Sequence, residues 1–150
     1  MRQRRISAAG GLLGVVVSLF GCGGGTPPGP AAIDCIRTMS RCSREGNVTA
    51  YLDCFAPDLR KRLEGARDEM KGGFADYLRR RAKPVRGIAF SDETLLDERT
   101  VRVKVEWVFE DRNEVQFFQL KKTGGAWKIA DMTEAQYKKP IIPYGTKVFE

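Results

Sequence analysis

The sequence predicts an α+β domain in which N-terminal helices pack on a twisted antiparallel sheet. Three observations predict it. Up to Pro84, apolar residues recur at intervals of three and four, the spacing that gathers them on one face of a helix. Beyond Pro84 the period becomes two: Val101, Val103, Val105, Trp107 and Phe109 alternate with Arg102, Lys104, Glu106, Val108 and Glu110, so one face of a strand is apolar. Two turn signals, Asp111-Arg112-Asn113-Glu114 and Thr123-Gly124-Gly125-Ala126, divide that region into hairpins. A chain of 150 residues holds one such core and is too short for two of ordinary size.

Residues 1–21 precede the domain as an export signal. Arg2, Arg4 and Arg5 form its positive start, and Ala8 to Phe20 is an uncharged run of about 13 residues, short of the roughly 20 that a membrane-spanning helix needs. The run ends in Leu19-Phe20-Gly21-Cys22, which resembles the lipobox of bacterial lipoproteins. That resemblance implies a thioether from Cys22 to diacylglycerol and acylation of the new amino terminus, so that several acyl chains anchor the protein where one would hold only marginally. Gly23 rather than Asp follows Cys22; for a Gram-negative host the resemblance then implies the outer membrane, facing the periplasm. Residues 22–31, rich in Gly and Pro, read as a tether: Gly supplies freedom and Pro denies regular structure.

The domain proper is expected over 32–134. Ile33, Ile36 and Met39, with Cys35 and Cys42 beside them, predict a helix over Ala31–Arg44, ended by Glu45-Gly46-Asn47. A short helix over Val48–Phe55 presents Val48, Tyr51, Leu52 and Phe55 on one side. Pro57 suits the first turn of a third helix and Asp58 complements the positive end of its dipole. That helix carries Leu59, Leu63, Ala66, Met70, Phe74 and Tyr77 as a core-facing stripe, with Gly72-Gly73 expected to break or bend it. Arg79-Arg80-Arg81-Ala82-Lys83 follows, the densest basic cluster of the exported chain. With no aromatic residues alternating among its charges, it reads as a solvated helix end where cations suit the negative pole.

Val85–Phe90 and Thr94–Leu96 predict one early strand or two. If Arg112-Asn113 and Gly124-Gly125 are both two-residue loops, Val105 faces Leu120 and Leu120 faces Ile129, while the neighbouring row reads Trp107, Phe118 and Asp131. The expected pocket face is then Val105, Trp107, Phe118, Leu120, Trp127 and Ile129. Residues 135–150 contain Pro140-Ile141-Ile142-Pro143, which cannot be helical; an extended tail is expected, either over its own sheet edge or docked on a partner chain.

Helices followed by a meander that ends in Gly125-Ala126-Trp127-Lys128-Ile129, with a helix-Gly-helix opening around Arg44-Glu45-Gly46-Asn47-Val48, resemble the nuclear transport factor 2-like cone fold over roughly 32–132. A cystatin-like arrangement is the competing architecture. The cone resemblance implies a cavity between helices and sheet, which some relatives use for isomerase or hydratase chemistry with a carboxylate base and a Tyr or acid donor. On that view Asp131 is the carboxylate candidate, and Tyr51 or Tyr77 the donor.

Composition weighs against catalysis. No His occurs, which removes the commonest general base, the usual activating partner of a Ser or Cys nucleophile, and the commonest metal ligand. No cofactor or metal is expected. Loss of the leader removes three Arg, so 26 basic residues become 23 against 19 acidic ones, a net charge of +4. Such a balance favours anionic neighbours such as phosphorylated lipids; export excludes nucleic acid. With Cys22 acylated, Cys35, Cys42 and Cys54 remain. Cys35 and Cys42 stand about 10.5 Å apart along one helix, too far for a disulfide. Cys54 can reach either, and the shorter loop favours Cys42. The function read from the sequence is a membrane-anchored envelope lipoprotein whose small domain is structural or binds an envelope protein or small apolar ligand, with a buried-carboxylate enzyme as the alternative.

Overall fold

The structure, a computed structural model, describes residues 30–139. The leader, Cys22, the tether as far as Gly29 and the tail from Pro140 onward lie outside the described residues. Helices come first and an antiparallel sheet follows, the α+β order expected.

Helix α1 (Pro30–Glu45) starts inside the expected tether, because Pro30 costs nothing in a first turn whose N–H groups have no helical partner. It buries Ala32, Ile36 and Met39 at helical spacing. Gly46, at φ +70°, makes the tight turn into α2 (Val48–Leu52), where Asn47 caps the helix by accepting from Ala50 N at 3.1 Å. That helix stops short of Phe55 because the next residues bond to the sheet. Ile129 N donates to Cys54 O and Ala56 N donates to Ile129 O, both at 2.8 Å. The expected long third helix is two, α3 (Pro57–Glu69) and α4 (Phe74–Ala82), divided where Gly72 takes φ +92°.

The sheet comprises β1 (Gly87–Asp97), β2 (Thr100–Val108), β3 (Asn113–Thr123), β4 (Ala126–Met132) and β5 (Gln136–Lys138), ordered β1-β2-β3-β4. The early strand is one strand, broken by irregularities between Ser91 and Thr94 and between Leu95 and Asp97. Strand β5 pairs with Asn113–Val115 of β3, beyond the stretch of β3 that β4 occupies, so this part of the tail does lie along its own sheet.

Two register expectations need correction. The β2–β3 turn is centred on Glu110-Asp111, with Phe109 N donating to Arg112 O at 2.9 Å, not on Arg112-Asn113. Val105 therefore pairs with Gln116, and Leu120 with Val101. The slip is even, so every side chain keeps its face, as the period of two requires. The Gly124-Gly125 turn and the Leu120–Ile129 pair stand as expected. Past that pair β4 bulges: Ala130 is extra, Gln119 meets Asp131, and Phe118 meets Met132.

Ile36, Phe55, Leu59, Val101, Val103, Val105, Phe118, Leu120 and Ile129 pack in one buried cluster between α1, the α2–α3 turn and the sheet. Among the described residues all its buried members lie between Ala32 and Ile129, within the chain from Cys22 onward.

Candidate functional site

Helices and sheet meet closely over β2–β4 near Val101 and Leu120, and separate towards the other end of the sheet. There they enclose a cavity of about 270 Å³. Its helical wall comprises Met39, Ser40 and Ser43 of α1, Tyr51 of α2, Leu63, Ala66 and Met70 at the end of α3, and Phe74, Tyr77, Leu78 and Arg81 of α4. Trp107, Phe109, Glu114, Gln116, Phe118 and Met132 form the sheet wall. Tyr77 and Met70 are more than a third exposed and mark the rim.

The wall is mostly hydrocarbon and aromatic. Phe74 lies edge-on to Tyr51 at 6.1 Å and stacks with Tyr77 at 6.0 Å; opposite them Trp107 and Phe118 meet at 6.3 Å. Residues 22–150 contain three methionines, Met39, Met70 and Met132, and all three line this cavity. Unbranched, polarisable side chains of this kind conform to ligands of varied shape.

Three polar side chains of the wall, Ser43, Gln116 and Glu114, are engaged by other groups. Ser43 Oγ donates to Leu78 O at 3.2 Å. Gln116 accepts from Trp107 Nε1 and donates to Thr133 O. Glu114, the one carboxylate of the wall, receives Arg112 Nε at 2.8 Å. Tyr51 is the exception in character: burial, reinforced by Tyr77, pushes its phenol up to about 12, so it remains a neutral hydrogen-bond donor throughout the physiological range.

The expected pocket face divides in two. Trp107 and Phe118 do line the cavity. Val105, Leu120 and Ile129 are fully buried core beneath α1, and Trp127 packs half-buried against that core. Asp131 is not in the cavity: the bulge at Ala130 pairs it with Gln119 on the outer face, where it is exposed, and Met132 takes the inward place beside Phe118. Both candidate donors, Tyr51 and Tyr77, are cavity residues. Glu114 and Arg81, absent from the sequence-based set, join the site through the turn slip and the position of α4. No sequence signal links them, since the residues that converge here are tens of positions apart.

Cys35, Cys42 and Cys54 are free thiols. Cys35 lies against Cys54, its Sγ donating to Cys54 O at 3.5 Å, and Cys42 is near enough to feel the Cys54 thiol. A hydrogen bond with the Cys54 thiol holds Cys35 below its usual value, and the same bond, with burial, pushes Cys54 up. Among the described residues no cluster of three Cys, Asp or Glu is placed to hold a metal ion, and no helix is long and apolar enough to cross a membrane.

No family model matches the chain. No curated protein matches it either. Two solved structures resemble it in shape. One is a Campylobacter jejuni protein described as a candidate NTF2-like transpeptidase, with 16% identity over 65% of this chain and 95% of that one and a TM-score of 0.48. The other, from Shewanella oneidensis MR-1, is described as an NTF-2 like protein of unknown function; identity is 11% over 65% of this chain and 90% of that one, with a TM-score of 0.45. Neither likeness bears on substrate or activity.

Proposed function

We propose that this chain is an envelope lipoprotein whose domain binds a small, predominantly apolar ligand between its helices and sheet. Cleavage before Cys22 and acylation of its thiol would tether the domain to a membrane, the outer membrane facing the periplasm in a Gram-negative host. The support for this part is the charged start, the short apolar run and Leu19-Phe20-Gly21-Cys22. The observation that carries the binding reading is the cavity itself: about 270 Å³, walled by Phe74, Trp107 and Phe118 and by every methionine of the exported chain. Sites for small molecules are of this kind, concave and mainly apolar with few polar groups.

The enzymatic alternative rested on Asp131, which faces away from the cavity, while the carboxylate that does reach the wall, Glu114, is engaged by Arg112. Among the described residues an acid–base site in this cavity is thereby left without a free carboxylate.

Methionine methyl groups labelled with carbon-13 report on the cavity directly. In the chain from residue 22 onward, with Cys22→Ser, titration with octanol is expected to shift the Met39, Met70 and Met132 signals together and saturably. Signals that stay in place up to the solubility limit of octanol would defeat the binding reading. Separately, a radioactive fatty acid is expected to label the full chain in cells but not its Cys22→Ala variant, and persistent labelling of the variant would defeat the lipoprotein reading.

A further inference from the structure

Beside the cavity lies a recess of about 160 Å³ lined by Arg80, Arg81, Pro84, Phe109, Arg112 and Glu114. Arg81, Phe109 and Glu114 line both spaces, so the apolar cavity continues into a rim carrying three guanidinium groups and one carboxylate.

The three arginines are not equivalent. Arg112 stacks over the Phe109 ring at 4.2 Å and is engaged twice, by Glu114 at 2.8 Å and Asp111 at 3.0 Å. It neutralises the carboxylate that would otherwise repel an anion. Arg79, the first member of the run, turns away to Asp76 at 2.7 Å and to Glu45 O. Arg80 and Arg81 have no carboxylate within ion-pair distance among the described residues. The C-terminus of α4 offers them only the partial negative charge of a helix end, roughly half a unit for the pair. Arg79, Arg80 and Arg81 are all exposed at the helix end, but Arg81 also borders the apolar cavity, which Arg79 does not.

Resting on the reading of the cavity as a ligand site, we infer that its ligand is an amphipathic anion, with a short apolar body among Phe74, Trp107, Phe118 and the methionines and a carboxylate or phosphate head at Arg81 and Arg80. The sizes agree with this division. The cavity, about 270 Å³, is the larger space and the recess, about 160 Å³, the smaller, as an apolar body and a single anionic group require. Guanidinium is the donor whose planar fork suits both carboxylate and phosphate. Tyr51 adds a neutral hydroxyl at the cavity wall, close enough to Arg81 to feel its charge.

Four probes with one tail separate the possibilities: octanoate, octyl phosphate, octanol and octylammonium, each titrated at low salt into the chain from residue 22 onward with Cys22→Ser, with the methionine methyl signals as readout. Octanoate or octyl phosphate is expected to bind at least tenfold more tightly than octanol, and octylammonium more weakly than octanol. Whichever anion binds more tightly identifies the head group. Added salt should narrow the margin. In Arg81→Gln the anions should lose about tenfold while octanol is unchanged, with Arg80→Gln showing a smaller loss of the same sign. Octanol binding as tightly as the anions, or octylammonium more tightly, overturns the anionic head and leaves the apolar site standing. An Arg81→Gln variant that loses octanol in parallel also overturns it, since Arg81 would then be wall and not head-group partner. If none of the four moves a methionine signal, the ligand site itself fails.

Discussion

Trp107 Nε1 donates a 2.7 Å hydrogen bond to Gln116 Oε1 across the β2–β3 pair, at the cavity end of the sheet. The Gln116 amide donates in turn to Thr133 O at 3.0 Å, and Thr133 bonds through both its N–H and its hydroxyl to Phe117. One side chain therefore satisfies an indole in the cavity wall and pins the bend between β4 and β5.

Gln116→Leu keeps the volume and removes both bonds. The half-buried indole N–H and the Thr133 carbonyl lose their partner, which should destabilise the domain by about 1–3 kcal/mol. Urea unfolding followed by tryptophan fluorescence measures this. A change under about 0.5 kcal/mol, the range of inconsequential surface substitutions, would show that water replaces the amide at no cost.

Asp131→Asn should be neutral, within about 0.5 kcal/mol at pH 7, because the bulge at Ala130 sets this residue on the exposed face. The same unfolding assay decides it. A stabilisation above about 1 kcal/mol would mean that a buried charge had been relieved, and the inward placement of Asp131 would return.

Mild oxidation of the chain from residue 22 onward should join Cys54 to Cys35 and leave Cys42 as a thiol. Cys35 is the hydrogen-bonded neighbour and the more acidic of the two, and burial pushes the Cys42 thiol up. Closing that loop should stabilise by about 2–4 kcal/mol. Peptide mapping of unreduced protein is the measurement; a Cys42–Cys54 peptide would contradict the arrangement.

Tyr51 makes alkaline stability a readout of the cavity. Its folded-state value, about 12, lies above the ordinary 10. Between these values the unfolded chain has released the proton and the native one holds it, so stability is intact below pH 10 and falls as pH rises towards 12. The loss for this group is at most about 2–3 kcal/mol, at about 1.4 per pH unit. Urea midpoints across that window should fall more steeply for the native chain than for Tyr51→Phe. Parallel profiles would show that the phenol is solvated.

Local pattern determined much of this protein. Periods of three to four and then of two, Pro57, Asn47 and the Gly124-Gly125 turn specify helices before an antiparallel sheet and the apolar face that includes Trp107 and Phe118, because those signals act between residues a few positions apart. Tertiary structure alone decided which residues line the cavity. A single extra residue at Ala130 exchanges Asp131 for Met132 at the cavity, and no hydropathy pattern marks it, since a bulge is set by how β4 must bend against β3. The contact between Cys35 and Cys54 follows from the path of the chain after α2, where hydrogen bonds to Ile129 outweigh another helical turn. Arg81, Arg112 and Glu114 meet at one rim only because α4, packed on α1, ends beside the β2–β3 turn. Charges separated by some thirty positions carry no mutual signal in the sequence; their proximity is a property of packing.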